Sequence, residues 1–152
     1  TLWKTIDSGR ACLATPSGSG VPKFAKFQLK VARRILGLGP RSSHIGTLGE
    51  LGWLPDSVRG DCHLLHLLLH MLSAPSHSLS SIVISSLHPL FIDISKTLPP
   101  ALVRARSLLS QHASRSTLHS PLNIPFIKHT IRRLKRQASS SWSSEIQRSP
   151  SL

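Results

Sequence analysis

The chain has 152 residues, enough for one ordinary domain, and its apolar content of 39% includes no tyrosine and one methionine, so a core rests on Leu, Ile and Val. Nineteen Lys and Arg against six Asp and Glu give a net charge of +13, which points to a polyanionic partner, either nucleic acid or an anionic membrane surface. Two cysteines, Cys12 and Cys62, exclude a disulfide scaffold and a four-cysteine zinc site, and no apolar run reaches the ~20 residues of a membrane-spanning helix.

Taken in chain order, the sequence starts at Thr1 rather than Met and is Ser/Gly-rich over 15–20. Residues 1–20 therefore read as a flexible remnant or linker, and the chain is expected to be a piece of something larger. Pro22 suits the first turn of a helix and Gly37 its C-terminal stop. Between them Phe24, Phe27, Val31 and Ile35 recur at the spacing of a packed face. Lys23, Lys26, Lys30, Arg33 and Arg34 share a neighbouring arc of roughly 100°. Residues 39–52 are turn-rich, with room for one short helical turn at 47–51.

A second helix is expected over 55–72. Val58, Cys62, Leu65, Leu69 and Leu72 keep its apolar seam, and Leu64, Leu67, Leu68 and Met71 widen it, which places this helix centrally in a bundle. His63, His66 and His70, with Arg59, occupy the remaining polar strip. Residues 73–98 read as an irregular connection, in which the apolar run 79–87 fits helix or strand and Pro89 interrupts whatever forms. A third helix is expected from 99 or 100 to about 112, with Leu102, Ala105, Leu108 and Leu109 inward, followed by a loop over 114–123. Pro125 opens the last helix, whose seam is Ile127, Ile131, Leu134, Ala138 and Trp142. Lys128, Arg132, Arg133, Lys135 and Arg136 cover its other faces, and the serine run 139–144 lowers helix propensity enough to predict fraying there. The fold class is all-α: a loose multi-helix segment with a flexible N-terminus and an irregular Ser/Pro-rich middle. Its divisions are 1–20, 21–72, 73–98, 99–148 and a tail at 149–152.

Catalytic patterns are absent from the sequence. Two-metal phosphoryl chemistry needs paired carboxylates. The acids Asp7, Glu50, Asp56, Asp61, Asp93 and Glu145 include no adjacent pair. Asp56 fits the first turn of its helix, where a negative charge meets the helix dipole, and Asp61 reads as an ordinary surface charge. His63, His66 and His70 lie on one helix face but lack the glutamate of an H-E-x-x-H metalloprotease, so the strip reads as polar surface. No Gly-x-Ser-x-Gly elbow occurs, and the glycines at 37 and 39 lack the Lys-Ser/Thr of a phosphate loop. No catalytic residue, metal ligand or cofactor is assigned. What remains is the basic faces, which suit phosphate neutralisation because so few acids balance them. Trp3, Trp53 and Trp142 are candidates for base stacking, with core packing favoured for Trp53 and Trp142.

Gln28, Ala32, Arg33, Ile35, Leu36 and Gly37 form a Gln-x-x-x-Ala-Arg-x-Ile-Leu-Gly block, and residues 49–55 a Gly-Glu-Leu-Gly-x-Leu-Pro turn. Val58, Arg59 and Asp61 follow as Val-Arg-x-Asp before a leucine-rich helix, and residues 127–152 form a basic helix with a Trp near its close. In this order the blocks resemble the region that follows the polymerase core in reverse transcriptases of non-LTR (LINE-type) retrotransposons. Residues 73–98 match only loosely.

The resemblance implies a non-catalytic helical appendage behind the polymerase thumb. Such an appendage would help grip template RNA and target DNA through their phosphate backbones, with the reverse transcriptase core and its metal-binding aspartates upstream. Two cysteines and no secretory signal pattern lead us to expect an intracellular, reduced setting, and a nuclear one for such a protein. Two other readings stay open: a decayed retroelement remnant without activity, and an unrelated basic helical adaptor for a protein or an anionic membrane.

Overall fold

The computed structural model describes residues 22–92, 98–112 and 122–148, without the side chains at 22, 23, 90–92, 145 and 146. The expected linker at 1–20 and the tail at 149–152 lie outside these residues. Six helices and no strand form among the described residues: α1 (Pro22–Leu36), α2 (His44–Glu50), α3 (Asp56–Leu72), α4 (Leu79–Ile92), α5 (Pro100–His112) and α6 (Ile124–Arg148). The all-α expectation holds.

Local chemistry sets the boundaries. Gly37 and Gly52 take left-handed backbones, with φ of 66° and 63°. At each, a reversed hydrogen-bond pair closes the helix: Leu38 N–H to Arg33 O (2.9 Å) after α1, and Trp53 N–H to Leu48 O (2.8 Å) after α2. Ser43 caps α2 by accepting from Gly46 N–H at 3.2 Å, and Ser78 caps α4 by accepting from Ser81 N–H at 3.1 Å.

α3 is the central helix, as its nearly all-round apolar sequence predicts. Leu64, Leu65 and Leu68 are fully buried, and they join Ala105, Leu108 and Leu109 of α5 and Ile127 and Ile131 of α6 in one core. α4 adds Ile84 to this core. α1 and α6 both pack on α2, so the short helix mediates between the two basic helices.

Five expectations are corrected. The stretch expected to be an irregular connection contains α4, a 14-residue helix started by the Ser78 cap. Pro89 does not interrupt it, because the carbonyl it leaves without a helical partner belongs to exposed Ser85, where water can take its place. The serine run does not end α6 either. Its hydroxyls donate to carbonyls three or four residues back, as in Ser139 to Lys135 O at 3.1 Å and Ser143 to Ser139 O at 3.1 Å.

On α1 the packed face is rotated from the expected one. Gln28, Leu29 and Ala32 are buried, whereas Phe27 and Ile35 are 46% and 59% exposed. Asp61 is no ordinary surface charge. Arg104 of α5 donates to it from Nε (2.9 Å) and Nη2 (2.6 Å), a fork that clamps α5 to α3 with both side chains more than four-fifths buried.

Candidate nucleic-acid interface

α6 carries the larger basic surface. Lys128, Arg132, Arg133, Lys135 and Arg136 are all exposed, while Ile127, Thr130 and Ile131 face the core. At about 100° per residue, Lys128, Arg132, Lys135 and Arg136 fall within one arc of roughly 100°, and Arg133 projects away from it. The buried hydroxyl of Thr130 donates to Phe126 O at 3.0 Å, so this core face holds no unsatisfied side-chain group there.

On α1, Lys26, Lys30 and Arg34 are exposed and share an equivalent arc. The side chain of Lys23 lies outside the described residues. Arg33 separates from this group. Its Nε donates to Ser42 Oγ at 3.0 Å and its Nη2 to Ser42 O at 2.6 Å, fixing the turn between α1 and α2. Its guanidinium serves the fold first, which removes it from the set that faces a ligand.

The positive charge on these arcs is not answered within the described residues. Asp61 is committed to Arg104, and Asp56, buried in the first turn of α3, lies 3.7 Å from Arg59. The field of α6 reaches nearby histidines. Burial, then the Lys135 ammonium and His63, hold His66 below the usual imidazole range. Burial, then Arg133 and His129, do the same for His112. Burial also pushes the Cys62 thiol up to about 11, against smaller opposing influence from Lys135, so this cysteine is an inert core residue.

Beside the basic arcs, the blocks at 28–37, 49–55 and 142 meet. Gln28 is buried because its Nε2 donates to Leu54 O at 2.9 Å, across 26 residues of chain. Gly49 lets the Trp142 indole lie directly on the α2 backbone; a Cβ there would overlap Trp142 Cδ1 and Nε1. The Trp142 Nε1–H is buried without a hydrogen-bond acceptor, so the contact is one of packing. An open cavity of about 180 Å³ lies between the turn at 52–55 and the C-terminal half of α6, and another of about 270 Å³ between α1, α2 and the start of α3.

Sequence reasoning missed Gln28 as a buried amide and Gly49 as a close-approach glycine. The only available signal was a polar residue and a glycine inside otherwise helical patterns.

Among the described residues no group of three His, Cys, Asp or Glu side chains is arranged to hold a metal ion, and the histidine strip of α3 forms no such cluster. No helix among them is long and apolar enough to cross a membrane. Comparison with protein-family models, curated proteins and solved structures finds no match to this chain.

Proposed function

We propose that this chain is a non-catalytic helical appendage of a non-LTR retrotransposon reverse transcriptase that grips RNA and DNA through their phosphates. The observation that carries the proposal is the exposed arc of Lys128, Arg132, Lys135 and Arg136 on α6, together with Lys26, Lys30 and Arg34 on α1. No carboxylate among the described residues pairs with either arc, in a chain of net charge +13. Cations placed this way give affinity without reading sequence, which suits an element that must hold whatever template its polymerase copies.

The residue blocks that resemble the family add support. Gln28 holds Leu54, and Gly49 seats Trp142, so three segments far apart in sequence depend on one another in space.

Charge reversal tests the proposal. Lys128, Arg132, Lys135 and Arg136→Glu together should sharply weaken binding to structured RNA and duplex DNA in an anisotropy titration while circular dichroism keeps its helical signal, since all four side chains are exposed. Unchanged affinity in a folded variant would remove α6 as the gripping element. Binding to anionic vesicles but not to nucleic acid would favour the membrane adaptor instead.

A further inference from the structure

The cavity of about 180 Å³ beside α6 is lined by Leu48, Trp53, Pro55, Ala138 and Trp142, with the exposed Gly52, Ser139 and Ser143 at its rim. It is apolar and aromatic, yet it opens on the most basic helix of the protein. Ser139 stands one turn beyond Lys135, and Ser143 one turn beyond Ser139. Arg132, Lys135, Arg136, Ser139 and Ser143 therefore lie along one side of α6, and the cationic arc runs directly onto the rim of the cavity.

We infer that this cavity receives an unpaired base of single-stranded RNA whose phosphates lie on the α6 cations, a proposal that rests on the phosphate-gripping function above. Size selects the occupant. A cavity of ~150 Å³ admits a benzene ring, whereas drug-sized ligands take roughly 300–1,000 Å³, so this space suits one ring system rather than a whole nucleotide. Charge selects the molecule that carries it. An aromatic ring attached to a polyanion is drawn to a site whose approach is lined with Lys and Arg, and a neutral apolar ligand is not.

Base pairing selects the strand. The bases of a duplex are stacked away, and unpaired RNA bases are the ones splayed out onto aromatic side chains. Backbone rigidity prepares the site, because the turn that carries Trp53 is locked by the left-handed Gly52 and by its hydrogen bonds to α2.

The test compares two strands of equal length and equal phosphate content: a uridine oligomer and an abasic ribose-phosphate oligomer. The full chain should bind the uridine strand roughly ten-fold or more tightly, the gain that base stacking on an aromatic side chain gives, with quenching of tryptophan fluorescence only by the strand that has bases. The Ser139→Phe variant fills the cavity from an exposed rim position, so the fold is kept. In it the difference between strands and the quenching should both disappear. Equal affinity for the two strands would overturn the base site while leaving the phosphate grip intact. Binding of neither strand would remove both. A preference for the uridine strand that persists in Ser139→Phe would place the stacking elsewhere and also overturn the proposal.

Discussion

Replacing Gly49 by alanine should unseat Trp142. A methyl group on the Gly49 Cα would overlap Cδ1 and Nε1 of the indole, and the atoms it meets belong to a rigid ring held by a helix on each side. The ring must therefore move as a body, or α2 must lift away from α6. Overpacking of this kind costs about 1–3 kcal/mol, and full loss of a buried aromatic costs about 3–5 kcal/mol. Trp142 is only partly buried, so the lower figure applies.

Against this, alanine gains up to about 1 kcal/mol over glycine in a helix, leaving a net destabilisation of up to about 2 kcal/mol. Gly60, inside α3 with nothing near its Cα, is the control: Gly60→Ala should stabilise the chain by up to about 1 kcal/mol. Urea unfolding followed by circular dichroism would show midpoints moving in opposite directions for the two variants. In a Trp142→Ala background the Gly49→Ala penalty should vanish, because the two residues meet directly. If Gly49→Ala stabilises as Gly60→Ala does, the indole does not rest on α2 and the proposed contact is refuted.

Other perturbations have equally defined outcomes. Arg104→Ala leaves Asp61 largely buried without its fork and should cost roughly 2 kcal/mol in the same unfolding assay, with Arg104→Lys recovering only part of it. Gln28→Ala removes the donor to Leu54 O and should cost about 1–3 kcal/mol, with increased proteolysis of the turn at 52–55 as the local readout. Cys62, in a Cys12→Ser background, should resist alkylation at pH 8 in the folded chain and react on unfolding, since its thiol titrates near 11. His66 and His112 are held below the ordinary imidazole value, so the unfolded chain binds more protons as pH falls. Stability should therefore fall with pH below about 6.5, and less steeply in the double His→Asn variant, as read by thermal unfolding.

Much of the helical order was legible in the sequence because it follows from local chemistry. Gly37 ends α1 as its position predicts, and the leucine-rich helix expected over 55–72 is α3 (Asp56–Leu72). The helix expected from 99 or 100 to about 112 is α5 (Pro100–His112), and α6 buries Ile127 and Ile131 as its periodicity requires. What could not be read depends on partners distant in sequence.

The hydrophobic stripe of α1 pointed to Phe27 and Ile35 as packed. The face that packs instead contains Gln28, satisfied by a carbonyl 26 residues away, and the fully buried Ala32. Asp61 looked like surface until α5 brought Arg104 to it across 43 residues. For the same reason Arg33 belonged to a basic arc on paper and to Ser42 in the fold. The candidate site was legible as charge on two helices, while the cavity at its edge exists only because Gly49 and the turn after it meet α6.

The salt dependence of binding tests the central claim most directly. The cations at 128–136 span about 12 Å of helix, a length over which duplex DNA carries about seven phosphate charges, so four or five contacts are within reach on α6. Anisotropy titrations of the wild-type chain against duplex DNA at several salt concentrations should give a log–log slope of about −4 from α6, steeper where the α1 cations add contacts, and reduced by about that amount when the four α6 cations are reversed to Glu. A slope near zero for the wild-type chain, or no binding at low salt by a folded sample, would contradict the phosphate grip.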